Sequence, residues 1–189
     1  MASSTSLFNR MVRAAQLQSA LYEEVEADTS ATGQALLAVV LVSVIAGIGS
    51  GMDALVGGGG SGSFLYGLMY GLAIAIVGWL VWALFAFIFG VSILRGPHTS
   101  STWGELLRTM GFAASPRMLH IFAFIPGVGD IIVLAASVWA LVATIIAVRQ
   151  ALDFSTWRAI LTALIGWLAY MFLWSVLMGL AGGGAPMFF

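Results

Sequence analysis

Residues 64–94 contain no charged side chain, and this segment constrains the fold more than any other part of the chain. About 20 consecutive apolar residues cross a hydrocarbon core of roughly 30 Å, and this segment is longer than that. Inside a bilayer the backbone must satisfy its own hydrogen bonds, so such a segment forms a helix. We therefore expect a helical membrane protein in which this helix tilts or projects beyond the bilayer.

The composition extends this expectation to the whole chain. Hydrophobic residues make up 61% of the 189 positions and charged residues only 8%, whereas soluble domains carry about 25% charged residues. These proportions exclude a soluble enzyme and a disordered protein, and a net charge of −1 offers no basic surface to nucleic acid. The chain has no cysteine, which excludes disulfides, thiolate metal sites and cysteine nucleophiles.

Five apolar blocks follow one another along the chain, at about residues 35–51, 64–94, 106–125, 131–148 and 159–181. The third block is the least apolar because it contains Arg108, Arg117 and His120. We predict an all-α membrane protein in which residues 34–182 form a bundle of five transmembrane helices and residues 183–189 form an outer tail. In the alternative with four spans, the third block lies on the membrane surface.

The arginines are distributed unevenly between the two sides that five spans would create. Six of the seven lie in the N-terminal segment and in the second and fourth connections or beside them: Arg10, Arg13, Arg95, Arg108, Arg149 and Arg158. The other connections and the tail carry none. Because cytoplasmic connections are enriched in arginine, this distribution predicts a cytoplasmic N-terminus and an outer C-terminus. Four spans would place Arg95 and Arg149 on opposite sides.

Residues 1–33 precede the first block, and their apolar residues recur at spacings of three and four from Leu7 to Val25. This spacing places the apolar residues on one face of a helix. We predict a cytoplasmic arm with an amphipathic helix that lies in the membrane interface. The alternative is a soluble arm that docks on a neighbouring chain.

Short motifs predict where three of the helices begin. Thr102 and Glu105 have the spacing of a capping box, in which each side chain accepts a hydrogen bond from the backbone N–H of the other residue. Asp130 follows a Pro-Gly-Val-Gly turn and is the candidate N-cap of the fourth span. Ser155 or Thr156 is the candidate N-cap of the fifth span.

The third block also contains a candidate polar site inside the membrane. Its candidate residues are Ser115, Pro116, Arg117, His120 and Asp130. Pro116 should free the carbonyl of Phe112, which could then accept a hydrogen bond from Arg117 or from the Ser115 hydroxyl. A charge this deep in the membrane is costly, so Arg117 either lines a polar cavity for an anion, a lipid headgroup or a proton, or extends to the outer face.

Four arginines are candidate contacts for anionic lipid at the inner face: Arg95, Arg108, Arg149 and Arg158. The alternative is that they only set the topology. Arg108 lies three residues after Glu105 and Arg149 four residues before Asp153, so each arginine could pair with a carboxylate on its own helix.

Glycines four residues apart allow helices to approach closely in lipid. Three such pairs lie in the apolar blocks or at their ends: Gly47 and Gly51, Gly67 and Gly71, and Gly179 and Gly183. They favour packing inside the bundle over contacts with a second copy or another membrane protein.

A family resemblance is carried by residues 103–108, by the Gly-Phe-Ala-Ala-Ser-Pro break at residues 111–116, and by Trp139 and residues 149–160. In these features the chain resembles the Yip family of membrane proteins, named for interaction with Ypt/Rab-type small GTPases. The resemblance covers about residues 7–180 and implies a cytoplasmic arm followed by five spans. Eukaryotic members are linked to vesicle traffic and membrane shaping. The arm here lacks their longer acidic and aromatic segment, so small GTPase binding is not favoured.

The sequence contains no catalytic signature that we recognise. It has no closely spaced histidine pair, no Ser-x-x-Lys and no nucleophile elbow. We therefore predict a non-enzymatic membrane protein without cofactor or metal that organises the membrane or binds lipid or protein partners. The absence of lysine, with abundant alanine and glycine, favours a prokaryotic plasma membrane. The alternative is a small oligomeric channel or permease that uses the site around Arg117.

Overall fold

The computed structural model describes residues 6–56, 61–96, 99 and 101–180. In these ranges all regular structure is helical. The elements are α1 (Leu7–Ala15), α2 (Ser19–Ala27), α3 (Ala31–Val56), α4 (Ser61–Ile88) with a π-helical end (Phe89–Ile93), α5 (Trp103–Ala113), a 3₁₀ segment (Ser115–Phe122), α6 (Gly129–Ala151) and α7 (Thr156–Leu180). The predicted outer tail, residues 183–189, lies outside the described residues.

Four stretches are long and apolar enough to cross a membrane: Ala31–Asp53, Ala75–Ile93, Gly129–Ala151 and Thr156–Leu177. They correspond to the first, second, fourth and fifth predicted spans. The protein is therefore an integral membrane protein with several spans, built from helices. At one end of this bundle α3, α5 and α7 begin and α4 and α6 end. We call it the arm end, and the opposite end the far end.

The third predicted span is divided into two helices of different type. The 11 residues of α5 end at Ala113, and the chain continues as a 3₁₀ helix of 8 residues. Pro116 has no N–H, and its ring would collide with the carbonyl of Phe112 in a continuous α-helix. The Ser115 hydroxyl donates to that carbonyl over 2.6 Å. The break that Pro116 predicts is therefore present, and it shortens the regular helix.

Despite the break, α5 and the 3₁₀ segment run along α3 in the same direction as α3. A Cβ added to Gly111 would lie 2.9 Å from the Cβ of Ala35, and a Cβ added to Gly49 would meet the carbonyl of His120. Ala35 and Gly49 are about 21 Å apart along α3, at 1.5 Å per residue. The third block therefore extends along most of the length of its neighbour.

Small residues bring the helices together at the centre of the bundle. Ala35 and Ala38 of α3, Ala113 of α5, and Ala143 and Ala147 of α6 are all buried in one cluster. Such residues allow close backbone approach where lipid provides no hydrophobic driving force. Gly47 and Gly51 pack against Leu68 and Phe64 of α4, within the chain. The surroundings of Gly67, Gly71, Gly179 and Gly183 lie outside what the structure describes.

Two tryptophans in α4 form hydrogen bonds between helices. The indole N–H of Trp79 donates to the Leu107 carbonyl over 3.1 Å, and that of Trp82 donates to the Ala163 carbonyl over 3.2 Å. These bonds join α4 to α5 and α7, so both rings serve the packing of the bundle.

The helix boundaries follow two of the three predicted motifs. The capping box is confirmed: the Thr102 N–H donates to Glu105 over 2.8 Å, and the Glu105 N–H donates to Thr102 over 3.3 Å. Helix α7 begins at Thr156, directly after Ser155. The prediction for Asp130 is wrong by two residues, because Val128 is the N-cap of α6 and Asp130 lies in its first turn. An acidic residue there still favours the positive end of the helix dipole.

Candidate functional site

The N-terminal arm folds back onto the arm end of the bundle as two helices instead of one. Leu17 separates α1 from α2 with a φ of 59°, in the left-handed region. The predicted apolar face is buried against protein: Met11, Leu21, Tyr22 and Val25 belong to the same core cluster as Ala35 and Ala147. The arm thus docks on its own chain, and most of its apolar face is not available to lipid.

A buried arginine holds the arm together. Arg10 is only 4% exposed, and its Nη2 lies 2.7 Å from an Asp28 oxygen. Its Nε donates to Glu24 and its Nη1 to Gln34, each over 3.0 Å. Arg13 adds a 2.6 Å contact to the other Glu24 oxygen. Burial acts to raise the pKa of Glu24, but the hydrogen bonds from Arg13 and Arg10 outweigh it and lower that pKa.

A second arginine fastens the arm to the bundle. Arg108 of α5 is 6% exposed, and its Nε donates to the Val25 carbonyl over 2.8 Å. Its Nη2 donates to the Glu26 carbonyl. The last carbonyls of a helix have no partner in their own helix, so a guanidinium here both satisfies them and complements the helix dipole. The structure thus places Arg108 in a protein contact and not at a lipid-facing surface, and Glu105 serves the capping box.

Four carboxylates surround this contact. Glu26 is partly buried, and Glu105, Asp153 and Glu23 are the acidic groups near it, with Arg108 as the nearby cation. Burial raises the pKa of Glu26 to about 7, and the three neighbouring carboxylates add to the effect. Glu23 also accepts a hydrogen bond from Gln150 of α6 over 2.7 Å. The arm is therefore held to both α5 and α6, beside an acid that titrates near neutral pH.

The other three predicted lipid contacts also lie at the arm end, and of these Arg149 touches the network through Gln150. Arg95 is exposed beyond the π-helical end of α4. Arg149 donates to Gln150 over 3.0 Å and to Thr156 over 3.5 Å, both neutral side chains. The guanidinium of Arg158 lies beside Gly96. The three arginines lie at the end of α4, the end of α6 and the start of α7, so all three are on the same side of the bundle.

An apolar cavity of about 240 Å³ separates α1 from the 3₁₀ segment. Phe8, Met11 and Val12 line it from α1, Pro116 and Leu119 line it from the 3₁₀ segment, and Trp139 lines it from α6. Phe8 is 70% exposed and Val12 37% exposed. One part of the apolar surface of α1 therefore remains uncovered by protein.

The predicted polar residues of the third block are only partly brought together. Ser115 and Pro116 are buried at the break, and the His120 ring lies 3.3 Å from the Ser137 hydroxyl of α6. Arg117 has Tyr170 of α7 as an electrostatic neighbour. Asp130 is exposed at the far end, and in the described part of the chain it forms no ion pair with Arg117. Sequence reasoning missed Ser137 and Tyr170, whose polar groups in otherwise apolar spans were the available signal.

The sequence that forms these helices and the broken segment between them is similar to a known family. The sequence matches the Yip1 domain over residues 18–177. The chain belongs to the Yip1 domain family. The match includes α2 and Arg108, so the contact that docks the arm lies within the family domain, whereas α1 precedes it. No curated protein and no solved structure matches the chain.

Proposed function

We propose that this Yip1-domain protein is a non-enzymatic organiser of the membrane that inserts α1 into one leaflet. The observation that carries the proposal is the position of α1. Its residues share a cavity with Trp139, which lies ten residues before Arg149 at the end of α6. That separation is about 15 Å along the helix, roughly half the thickness of a hydrocarbon core. At this depth the exposed ring of Phe8 meets acyl chains.

The remaining topology follows from the predicted five spans. In this proposal α5 and the 3₁₀ segment together form the third crossing, supported by their parallel course along α3. The arm end then faces the cytoplasm of a prokaryotic cell and the far end faces outward. The positions of Arg95, Arg149 and Arg158 at the arm end support this orientation, because basic residues concentrate on the cytoplasmic side.

The same three arginines are the proposed contacts for anionic lipid. Each contributes roughly 1 kcal/mol of attraction to an anionic surface, and the effect falls off within about 10 Å. Arg108 leaves this set because its guanidinium is occupied by α2. Lipid is therefore the proposed partner. The arm does not favour a small GTPase, because Tyr22 is buried and Glu24 is paired with arginines.

Reconstitution tests the proposal directly. The full chain is incorporated into vesicles of phosphatidylcholine and phosphatidylglycerol at fixed protein-to-lipid ratio, and vesicle diameters are measured by electron cryomicroscopy. Insertion of α1 into one leaflet should give smaller vesicles or tubules, because it expands that leaflet relative to the other. The variant Phe8→Ser should shift the diameters toward those of protein-free vesicles.

A matched control comes from the lipid-facing side of α7, where Phe172 is 72% exposed. Phe172→Ser makes the same chemical change away from the arm and should leave the diameters unchanged. The proposal fails if the wild-type protein does not alter vesicle diameter, or if the two variants behave alike.

A further inference from the structure

The cavity between α1 and the 3₁₀ segment is lined almost entirely by apolar side chains. Ser115 also borders it, but its hydroxyl already donates to the Phe112 carbonyl over 2.6 Å. The volume of about 240 Å³ exceeds the roughly 150 Å³ of an apolar cavity that stays dry and binds benzene. The cavity is therefore suited to an apolar group and not to water or a polar ligand.

The cavity lies at a depth where hydrocarbon surrounds the protein. Trp139 lines it and is the eleventh residue of a 23-residue span, Gly129–Ala151, so the ring lies close to the midpoint of that span. Leu119 of the 3₁₀ segment and Phe8 and Val12 of α1 also line the cavity, and all three are exposed. Exposed apolar side chains thus border the cavity on both sides, which opens it to the lipid around the bundle.

The charges beside α1 are balanced. Arg10 and Arg13 lie on the opposite face of α1 from the cavity, because they are two or more residues out of step with the lining positions. Arg10 pairs with Glu24 and Asp28, and Arg13 pairs with Glu24. These two cations and two anions sum to zero, so they attract an anionic headgroup no more than a zwitterionic one. The hydrocarbon chain is therefore the part of a lipid that this site recognises.

We propose that one acyl chain of a membrane phospholipid occupies this cavity and packs between α1 and the 3₁₀ segment. Lining atoms of an empty cavity lose contacts with neighbouring atoms, and an acyl chain restores those contacts. The site rests on the proposed position of α1 in one leaflet, and it adds a bound lipid behind the inserted helix. It differs from the anionic-lipid contacts at Arg95, Arg149 and Arg158, which recognise the charge of a headgroup.

The test uses the full chain in dodecyl maltoside, where bulk lipid is removed. Phosphatidylcholine is titrated into the micelles, and native mass spectrometry counts the lipids bound to each chain. A second series uses phosphatidylglycerol with the same acyl chains. One phosphatidylcholine should bind each chain saturably, because a single cavity accepts it.

A larger side chain in the cavity should exclude the lipid. Val12→Phe should weaken phosphatidylcholine binding about tenfold or more, the loss expected for roughly two buried methylene groups. Ala15→Leu fills the same cavity from the end of α1 and should give a similar loss, so the test does not depend on one variant folding.

The matched control is Val176→Phe. Val176 is 41% exposed, close to the value for Val12, and it lies on α7, which packs against α4 and α6. This variant should bind phosphatidylcholine as wild type does. Binding that favours phosphatidylglycerol and is unchanged in both Val12→Phe and Ala15→Leu would place the lipid at the arginines and overturn the proposal.

Photolabelling of the wild-type chain locates the lipid without any variant. The probe is a phosphatidylcholine that carries a diazirine in the middle of one acyl chain, and peptide mass spectrometry maps the adducts in the same micelles. Adducts should form at Met11 or Leu119 in preference to Phe172, which is exposed on α7 away from the cavity. Absence of adducts at the cavity overturns the proposal. So would a chain dimer that Val12→Phe dissociates, because a second copy would then occupy the cavity.

The site and the action on the leaflet can fail separately. Val12→Phe keeps α1 apolar and leaves Phe8 in place, so it should lose the bound lipid and still reduce vesicle diameter. Smaller vesicles without adducts at the cavity overturn the acyl-chain site alone. Adducts at the cavity without any change in vesicle diameter overturn the proposed membrane-organising function alone.

Discussion

Replacement of Arg108 by leucine should release the arm from the bundle. The guanidinium donates to two carbonyls at the end of α2 and is the cation nearest to Glu26. Each buried acceptor left without a partner costs about 1–3 kcal/mol. Two such acceptors give at least about 2 kcal/mol, which corresponds to roughly a 30-fold increase in the population of the undocked arm.

Trypsin provides the assay, because the chain contains seven arginines and no lysine. Arg10 is buried and Arg13 is paired while the arm is docked, so cleavage after either residue requires opening. When closing is fast relative to cleavage, the cleavage rate follows the open population. Limited proteolysis in detergent, followed by intact mass, should show loss of the first 10 or 13 residues about 30-fold faster in Arg108→Leu than in wild type.

Arg95→Leu is the matched control. Arg95 also lies at the arm end, but it is exposed beyond the π-helical end of α4. Its removal should leave the rate of arm cleavage within about twofold of wild type, as is usual for a surface substitution. If Arg108→Leu is cleaved no faster than Arg95→Leu, the two bonds to α2 do not hold the arm and the reasoning is wrong.

Two further predictions concern pH and topology. Because burial raises the pKa of Glu26 to about 7 from 4.5, the docked arm binds a proton that the free arm releases, so docking is strongest at acidic pH and weakens as pH rises through 7. Allowing for solvent screening of this partly exposed group, arm cleavage, normalised to an unstructured arginine peptide, should rise about tenfold from pH 5 to pH 8. Glu26→Gln should remove most of this dependence, and an equally steep profile in that variant would contradict the assignment. For topology, single cysteines at Gln16 and Val128 should react with an impermeant maleimide from opposite sides of sealed vesicles, whereas labelling from one side would rule out the five crossings.

The local elements of the fold were predictable because they depend on neighbouring residues. The capping box of Thr102 and Glu105 and the break at Pro116 each act within four residues, through hydrogen-bond geometry that sequence spacing fixes. The apolar blocks likewise located the four long helices, since crossing a bilayer requires length and apolarity alone. The N-cap of α6 was predicted two residues too late, at Asp130, because the turn before α6 already ends at Val128.

The tertiary structure decided what covers each apolar or charged face. The spacing from Leu7 to Val25 predicts an apolar face, but lipid chains and protein interiors are equally apolar, so periodicity cannot distinguish a face in the membrane interface from one docked on the bundle. Arg108 shows the same limit for charge: its acceptors lie 82 and 83 residues earlier in the chain, and no local spacing connects them. The sequence by itself therefore determined a helical membrane protein of the Yip1 domain family, with its breaks and caps. Only the packing of distant segments made Arg108 the contact that holds the arm and brought His120 beside Ser137 of α6.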